Sequence, residues 1–547
     1  MIIKHCYRYF KNLINFFYVR IKIKFFFKNY NIKLKKTLFI CEMGGFKYIL
    51  LKNILIALSM KLRGYKSHFL ICDGLPEACM QRNIKTSPNI KQWKNACGSC
   101  CNNLELVLKR FNFNYSKPSI YINNENKYKL KCISEKVPLK KIINFRYQGV
   151  DVGNIAFYSL KRFFLGKLDN LEDITSKRDQ NLYRKYFYAS LINTYVAKKT
   201  LDVVRPDCFL SSHGIYSDFK PSSILAVSKN LPTLIWNSGY FKNFFYYSFP
   251  SIKKKKYINS INKNLYKDLK INTGKIKKIN NFFYLRYKSN QTSFRYDIPN
   301  TNIFNNHFIK EQLKINKNFK TICIFSHINW DQAITVNYDK LIYKSTYEWI
   351  SDSIDIINKV PNINWLIKFH PSENLFQNNT NSEDYLKKFY NLKKISKNIQ
   401  IINSFNNLNS LDLYNIIDHG VTCYGTVGME LPVLGKSTIV LGPGHYQNNG
   451  FTIDVKSKNE YFYYLKNPYK IPSLTEKQRK LAIKYFYYYM YIKQLSLPFF
   501  TKKFSFINSQ DSSHFGEINM QKLKELLPGR DASIDKICNY LMFKKEF

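Results

Sequence analysis

Residues 366–373 (LIKFHPSE) and residues 425–430 (GTVGME) are the segments of the sequence that indicate the fold most clearly. The first runs from a short apolar strand directly into His370 and Pro371. Pro371 cannot donate a hydrogen bond to a strand ladder, so we expect the strand to end there, with the imidazole at its carboxyl end. A histidine in that place, alone or with Lys368, can donate a hydrogen bond to a phosphate. An ordinary surface histidine would give the same pattern.

The second stretch combines glycines with the start of a predicted helix. Gly425 and Gly428, on either side of Thr426, let the backbone pass close to a ligand, and the helix after them would present unpaired N–H groups to an anion. Glu430, one turn into the helix, can accept hydrogen bonds from ribose hydroxyls. A plain glycine-containing turn is the alternative. Residues 435–437 (GKS) do not form a Walker-type phosphate loop, because they lie between a helix and the next strand.

Strands and helices alternate on both sides of these stretches, which predicts parallel sheets with helices on both faces. In such sheets ligands bind beyond the carboxyl ends of the strands. The second half predicts strands at 321–326, 364–369, 399–402, 418–423 and 437–441, and helices at 343–358, 382–390, 410–415 and 427–434. The first half predicts strands at 37–41, 67–72, 208–212 and 232–236, and helices at 48–62, 181–200 and 222–229.

The fold class predicted from this alternation is α/β, with two Rossmann-like domains preceded by a basic aromatic N-terminal extension. Residues 251–320 are rich in Lys and Asn and show little apolar periodicity, so the domain boundary is expected there. We assign residues 1–36 to the extension, 37–300 to the first domain, 301–500 to the second domain and 501–547 to a C-terminal tail. A chain of 547 residues is long enough for this division.

The charge of the chain suggests an anionic partner. It carries 86 Lys and Arg against 37 Asp and Glu, a formal net charge of +49. Nucleic acid, anionic lipid or a phosphorylated substrate would each fit. Because the lysines accompany abundant Asn, Ile, Tyr and Phe, a drift toward AT-rich codons explains the charge about equally well. No RNA-binding or zinc-finger signature is present, so we expect no nucleic-acid partner.

The first 36 residues interleave aromatic residues with Lys and Arg and contain neither the apolar core nor the cleavage site of a signal peptide. No apolar run in the chain is long enough to span a bilayer. One interpretation is a surface anchor on anionic lipid. The other is a basic helix packed on its own domain. The expected location is cytoplasmic, peripheral on the inner face of the membrane.

Twelve cysteines are scattered through the chain. Without an export signal they indicate a reducing compartment, where disulfides are not expected. Cys97 and Cys100 form a single CxxC pair, and Cys79 or Cys72 could complete a structural zinc site. A strong zinc signature needs two such pairs, so we prefer the interpretation that these thiols are packed or free and bind no metal.

The order of motifs in the second half resembles a known family, the bacterial capsule and lipopolysaccharide glycosyltransferases of GT-B architecture, in which two Rossmann-like domains face a cleft. Capsule polysaccharide biosynthesis proteins and the transferases of Kdo (3-deoxy-manno-octulosonic acid) are the nearest comparison. The resemblance covers about residues 320–455 and, more weakly, 37–101. It rests on His370-Pro371, Asp418-His419-Gly420, the 425–430 turn, Gly435-Lys436-Ser437 and the glycine-rich loop 442–446.

The resemblance implies a nucleotide-sugar donor bound on the second domain. The family's His-Pro histidine contacts the donor phosphate, which implies that role for His370. A glutamate in the helix after the glycine turn lies on the donor side, which corresponds to Glu430. The turn itself corresponds to Gly425, Thr426 and Gly428.

The catalytic base would come from the first domain. In Kdo transferases a glutamate in the glycine-containing loop after the first strand acts as base, and Glu42 holds the matching place. His213, in a loop after a strand, is the second choice, and Asp218 and Asp331 also lie after predicted strands.

These features predict an enzyme: a glycosyltransferase acting on a surface polysaccharide or glycolipid acceptor without a required cofactor or metal ion. A polyol-phosphate transferase of the teichoic-acid type and a nucleotide-sugar 2-epimerase are the enzymatic alternatives. The non-enzymatic alternative is a basic scaffold that binds RNA or membranes.

Overall fold

The computed structural model describes residues 2–166, 168–241, 243–250, 261, 263–288, 304–328, 330, 341–371, 373, 395–404, 406–501 and 517–547, with the backbone alone for 2–13. The helix expected over residues 382–390 lies outside these ranges.

The described chain is an α/β protein with thirteen strands in two sheets. The strands are β1 (Lys36–Glu42), β2 (Tyr65–Ile71), β3 (Tyr115–Ser116), β4 (Cys208–Ser212), β5 (Thr233–Ser238), β6 (Phe244–Ser248), β7 (Lys320–Phe325), β8 (Ile363–Lys368), β9 (Ile399–Ile402), β10 (His419–Thr422), β11 (Ser437–Val440), β12 (Ile453–Asp454) and β13 (Gln494–Ser496).

Helices connect most of these strands. They are α1 (Ile2–Lys28), α2 (Lys47–Lys61), α3 (Trp93–Arg110), α4 (Pro118–Tyr121), α5 (Asn124–Lys136), α6 (Leu139–Ile142), α7 (Val152–Phe163), α8 (Lys177–Val204), α9 (Tyr216–Ser228), α10 (Thr273–Tyr287), α11 (Asn306–Gln312), α12 (Thr346–Ile357), α13 (Ser410–Tyr414), α14 (Val427–Val433), α15 (Lys458–Lys466), α16 (Glu476–Tyr491) and α17 (Ala532–Phe543). Short 3₁₀ turns add Ile90–Gln92, Leu171–Asp173, Lys263–Leu265, Pro468–Lys470 and Met520–Leu526.

The first sheet has the order β13-β6-β5-β4-β1-β2-β3. Strands β3, β2, β1, β4 and β5 are parallel, while β6 pairs antiparallel with β5 and with β13. Side chains of β1 enter two cores: Leu38 and Ile40 lie on one side, and Phe39 and Cys41 lie on the other. Because both faces of this strand are buried, its sequence is a continuous apolar run and does not alternate between apolar and polar residues.

The second sheet has the order β12-β11-β10-β7-β8-β9, and all its strands are parallel. Side chains from α10, α13, α14 and α16 build the core on one face, and those from α12 and α15 build the core on the other. The parallel sheet expected for the second half is therefore confirmed. The order matters for the site, because β7 lies between β8 and β10 and so brings the ends of those two strands close together.

The C-terminal part of the chain returns to the first domain. Strand β13 joins the first sheet beside β6, and α17 packs on α2, β4 and β5. Ile534, Ile537, Cys538 and Leu541 are buried in the same core as β1 and α2. The described part of the segment assigned to a tail, residues 517–547, is thus part of a folded domain, while the other predicted domain limits stay predictions.

The N-terminal extension forms α1, a helix of 27 residues. Val19 and Ile23 on one of its faces are buried in the first domain's core. None of the helices in the described part combines the length and the hydropathy needed to span a bilayer.

Candidate functional site

The two domains meet at the carboxyl ends of their sheets. The Tyr216 hydroxyl, four residues after β4, donates to the carbonyl of Trp330, five residues after β7, at 3.5 Å. Ile328 and Trp330 also share an apolar cluster with Leu165 of the first domain. A second contact joins the Tyr347 hydroxyl to the carbonyl of Gly166 at 3.2 Å. The loops that follow the parallel strands of both sheets therefore surround one interdomain region, the place where such sheets bind ligands.

On the second sheet, three strand ends bring His327, His370 and the Gly425 turn together. They follow β7, β8 and β10, which are neighbours in the sheet. His327 Nε2 lies 3.1 Å from Thr422 Oγ1 and accepts a hydrogen bond from the Tyr424 N–H at 3.3 Å. A Cβ added to Gly425 would lie 2.8 Å from His327 Cε1, so only glycine lets the turn approach this ring. Burial lowers the pKa of His327 to about 3, and the neighbouring His370 adds to the same shift.

Three basic groups influence the charge at the end of β8. Burial, followed by the charges of Lys368 and Arg286, lowers the pKa of His370 to about 4. Burial also lowers the pKa of Lys368 to about 8. Lys368 Nζ is buried and has no hydrogen-bond partner among the described residues. An ammonium group without a partner is costly to bury, so the position favours an anion.

Arg286 and His327 are functional candidates that sequence reasoning missed. Arg286 lies in α10, within residues 251–320, whose composition indicated only a domain boundary. His327 follows a strand directly, which is the same signal that identified His370, but no proline marks it. Asp331, another residue placed in this region from the sequence, lies outside the described residues.

The Glu430 side chain already contacts other protein side chains and is not exposed to a ribose. It is fully buried, and its Oε2 accepts hydrogen bonds from the hydroxyls of Tyr287 and Tyr414, each at 2.7 Å. Its Oε1 lies 3.6 Å from Arg286 Nε. The carboxylate therefore joins α10, α13 and α14 and holds Arg286 beside the site. A contact with ribose could be made only through Oε1, which is buried and accepts no hydrogen bond from the described residues.

The glycine turn is shaped mainly by Tyr446. Its hydroxyl donates to the carbonyl of Gly425 at 2.6 Å, and its ring would lie 2.3 Å from a Cβ added to Gly428. Gly428 is thus required for packing. Thr426 begins α14 without a side-chain capping bond, and that helix has only seven residues. Such a short helix has no strong dipole end, so the basic side chains are the better candidates for binding an anion.

In the first domain, Glu42 is part of a buried hydrogen-bond chain. Its Oε2 accepts from Asn53 Nδ2 at 2.8 Å, and Asn53 Oδ1 accepts from Trp236 Nε1 at 2.8 Å. Oε1 is buried without a hydrogen-bond partner among the described residues. Burial raises the pKa of Glu42 well above its usual value, and the charge of Asp218 raises it further. A carboxyl group that retains its proton is a poor general base.

His213 lies at the carboxyl end of β4 in a left-handed backbone conformation, with φ of 54°. Gly214 and Tyr216 also have positive φ, and strained backbone of this kind clusters at functional sites. The half-buried ring stacks on Phe219. Burial, followed by the charge of Lys52, lowers the pKa of His213 to about 4, which leaves the imidazole unprotonated at pH 7.

Asp218 lies in the first turn of α9 rather than in a loop. Its Oδ2 accepts a hydrogen bond from the Met80 N–H at 2.7 Å, and burial raises its pKa to about 7.

The cysteines pack against the turns of the first domain. Cys97 Sγ accepts from an Arg82 N–H at 3.0 Å, and a Cβ on Gly45 would lie 2.3 Å from Cys100 Sγ. Burial raises the thiol pKa of Cys79, Cys97 and Cys100, to about 11 for Cys100. Within the described ranges, no three His, Cys, Asp or Glu side chains are arranged to hold a metal ion. Among these residues the structure therefore does not assemble Cys79, Cys97 and Cys100 into a zinc site, the alternative that the single CxxC pair left open.

Comparisons with known proteins give only distant likenesses. No protein-family profile matches the chain, and no curated protein matches it. A solved structure of a beta Kdo 2,4 transferase, KpsC of Thermosulfurimonas dismutans, is 12% identical, with 59% of this chain and 87% of that chain covered and a TM-score of 0.33. The UDP-GlcNAc 2-epimerase of Neisseria meningitidis bound to UDP-GlcNAc is 13% identical, with 82% and 94% covered and a TM-score of 0.23. The spinosyn rhamnosyltransferase SpnG complexed with thymidine diphosphate is 8% identical, with 82% and 95% covered and a TM-score of 0.26. The assignment of two Rossmann-like domains rests on the parallel sheets themselves.

Proposed function

We propose that this chain is a glycosyltransferase that moves a sugar from a nucleotide-activated donor to a growing surface polysaccharide or a glycolipid. The observation that carries the proposal is the buried Lys368 ammonium, without a hydrogen-bond partner in the described part of the chain, beside His370 at the carboxyl end of a parallel strand. This is the place and the charge expected for a donor phosphate. The facing strand ends of the first domain leave the acceptor on the other side of the same region.

In the proposed reaction an acceptor hydroxyl attacks the anomeric carbon of the donor. The new carbon–oxygen bond replaces the bond from that carbon to the donor phosphate, and a base takes the hydroxyl proton. His213 is the better candidate base, because its lowered pKa leaves the ring unprotonated at pH 7 and the ring is partly exposed, whereas Glu42 is fully buried and its pKa is raised. Lys368, His370 and Arg286 stabilise the charge that develops on the leaving phosphate, so no step requires a metal ion.

A panel of nucleotides and nucleotide sugars, ranked by thermal shift, tests this function. A ligand present at a hundred times its Kd should raise the free energy of unfolding by about 2.7 kcal/mol. Lys368→Met should lose most of this effect. Lys320→Met is the matched control, because Lys320 begins the neighbouring strand β7 at the opposite end of the sheet.

Three other outcomes would change the assignment. Stabilisation by RNA and by no nucleotide would replace the enzyme with a nucleic-acid binder. Conversion of a stabilising nucleotide sugar without any acceptor would identify an epimerase. Transfer of a polyol phosphate would identify a teichoic-acid type of enzyme.

A further inference from the structure

Helix α1 has two apolar faces, and the fold covers only one of them. The inner face packs Val19 and Ile23, each 3% exposed, into the core of the first domain, with Phe26 and Phe27 beside them. The opposite face carries Ile14, Phe17, Tyr18, Ile21 and Phe25, whose exposed fractions lie between 47% and 69%. We call these five residues the outer stripe.

The outer stripe follows the spacing of a single helix face. Ile14, Phe17, Ile21 and Phe25 are separated by three, four and four residues, so their side chains lie in one row. Eleven residues of helix at about 1.5 Å each make the row about 16 Å long. A row of large exposed apolar side chains differs from the singly scattered exposed residues of an ordinary surface.

The basic side chains beside the outer stripe indicate which kind of partner it would bind. Arg20, Lys22, Lys24 and Lys28 are exposed between and beside the stripe residues. Helix α1 contains no Asp or Glu. A partner must therefore offer an apolar interior and negative charge at its rim at the same time. A bilayer containing anionic lipids does this, with acyl chains below the row and headgroups beside the cations.

We propose that the outer stripe docks this protein on the surface of an anionic bilayer, with α1 lying parallel to the membrane plane. The inner face keeps the helix attached to the first domain, so the whole domain is held at the surface. This docking is independent of the sugar transfer proposed above, because it needs no residue of the interdomain region.

Vesicle co-sedimentation of the full chain tests the proposal without any donor or acceptor. The wild-type protein should bind phosphatidylglycerol-containing vesicles and should bind pure phosphatidylcholine vesicles at least about tenfold more weakly. Phe17→Ser, Ile21→Ser and Phe25→Ser combined should reduce binding to the anionic vesicles by at least about tenfold, because apolar burial supplies part of the binding energy. Lys22→Gln with Lys24→Gln should reduce it severalfold and lessen its salt dependence.

The matched control replaces Ile120, Tyr128 and Val203 by serine. These residues are as exposed as the stripe but lie on α4, α5 and α8. The control should keep wild-type binding, and both triple variants should keep the wild-type melting temperature, since none of the six side chains is buried. Unchanged vesicle binding by the stripe variant would overturn the proposal. So would a wild-type dimer that the stripe variant converts to a monomer without any vesicle binding, because the stripe would then bind a second copy.

Discussion

Replacing Glu430 by alanine should lower the free energy of unfolding by about 3–5 kcal/mol, the usual loss when one member of a buried ion pair is removed. The variant leaves the Arg286 guanidinium, 5% exposed, without its carboxylate. It also leaves the hydroxyls of Tyr287 and Tyr414 without their acceptor. Glu430 is completely buried, so its removal affects the core and not only a contact with ribose.

Graded variants keep this prediction testable if the alanine variant does not fold. Glu430→Gln retains an acceptor but loses the charge, and should fall between alanine and wild type. Tyr287→Phe removes one hydrogen bond and should cost about 1 kcal/mol. Glu135→Ala is the control, because Glu135 is a helical glutamate with an exposed side chain, and it should change stability by less than about 0.5 kcal/mol. Urea denaturation measures all four, and a loss below about 1 kcal/mol in Glu430→Ala would contradict the structural role.

We expect the second large effect on the rate of the transfer step, when His370 is replaced. His370→Ala should slow the transfer step by on the order of 10²-fold, equivalent to about 2.7 kcal/mol, because a donor to the leaving phosphate is lost. Its imidazole is neutral in the free protein, with a pKa of about 4. A bound phosphate would favour the charged form, so donor binding should take up a proton at the acidic end of the pH range, and this uptake should vanish in His370→Ala.

Initial rates of nucleoside phosphate release, measured with a nucleotide sugar that stabilises the protein, would report this effect. The melting temperature should stay close to wild type, because His370 is only half-buried. His307→Ala is the matched control: this exposed histidine lies on α11 and should leave the rate unchanged. Wild-type turnover in His370→Ala would remove that residue from the mechanism.

The arrangement of the second sheet could be predicted from the sequence because its signals are local. Each of β7, β8, β10 and β11 is a short segment with β-branched residues followed by a polar or glycine-rich loop, and the parallel alternation places all their carboxyl ends together. The prediction that His370 and the Gly425 turn share one end of the sheet follows from that alone, and the structure places them so, with His327 between them.

Other features depend on contacts between distant parts of the chain. Tyr287 reaches Glu430 across 143 positions, and nothing in the local pattern of α14 indicates that its glutamate is buried under two hydroxyls. The Lys- and Asn-rich composition around α10 concealed a helix whose buried face supplies Arg286. Likewise, the sequence could not show that α17 belongs to a folded domain, because its apolar residues pack on α2, which is distant along the chain.

In the first domain, too, the roles of single residues depend on contacts that the sequence does not show. The glycine turn after β1 could be recognised from the sequence, but its glycines are needed because the Phe219 ring and Cys100 Sγ pack against them. Glu42 matched a family position, yet its side chain points to Asn53 in the core. The positive φ of His213 has no sequence signal except the glycine that follows it.

A crystal structure of the full chain with a nucleoside diphosphate or a nucleotide sugar that stabilises it would test the proposed donor site directly. We expect the phosphate to lie at the carboxyl ends of β8 and β10, within hydrogen-bond distance of His370 or Lys368, and the sugar end to face His213. A nucleotide bound away from these strand ends, or a phosphate that contacts neither His370 nor Lys368, would contradict the proposal.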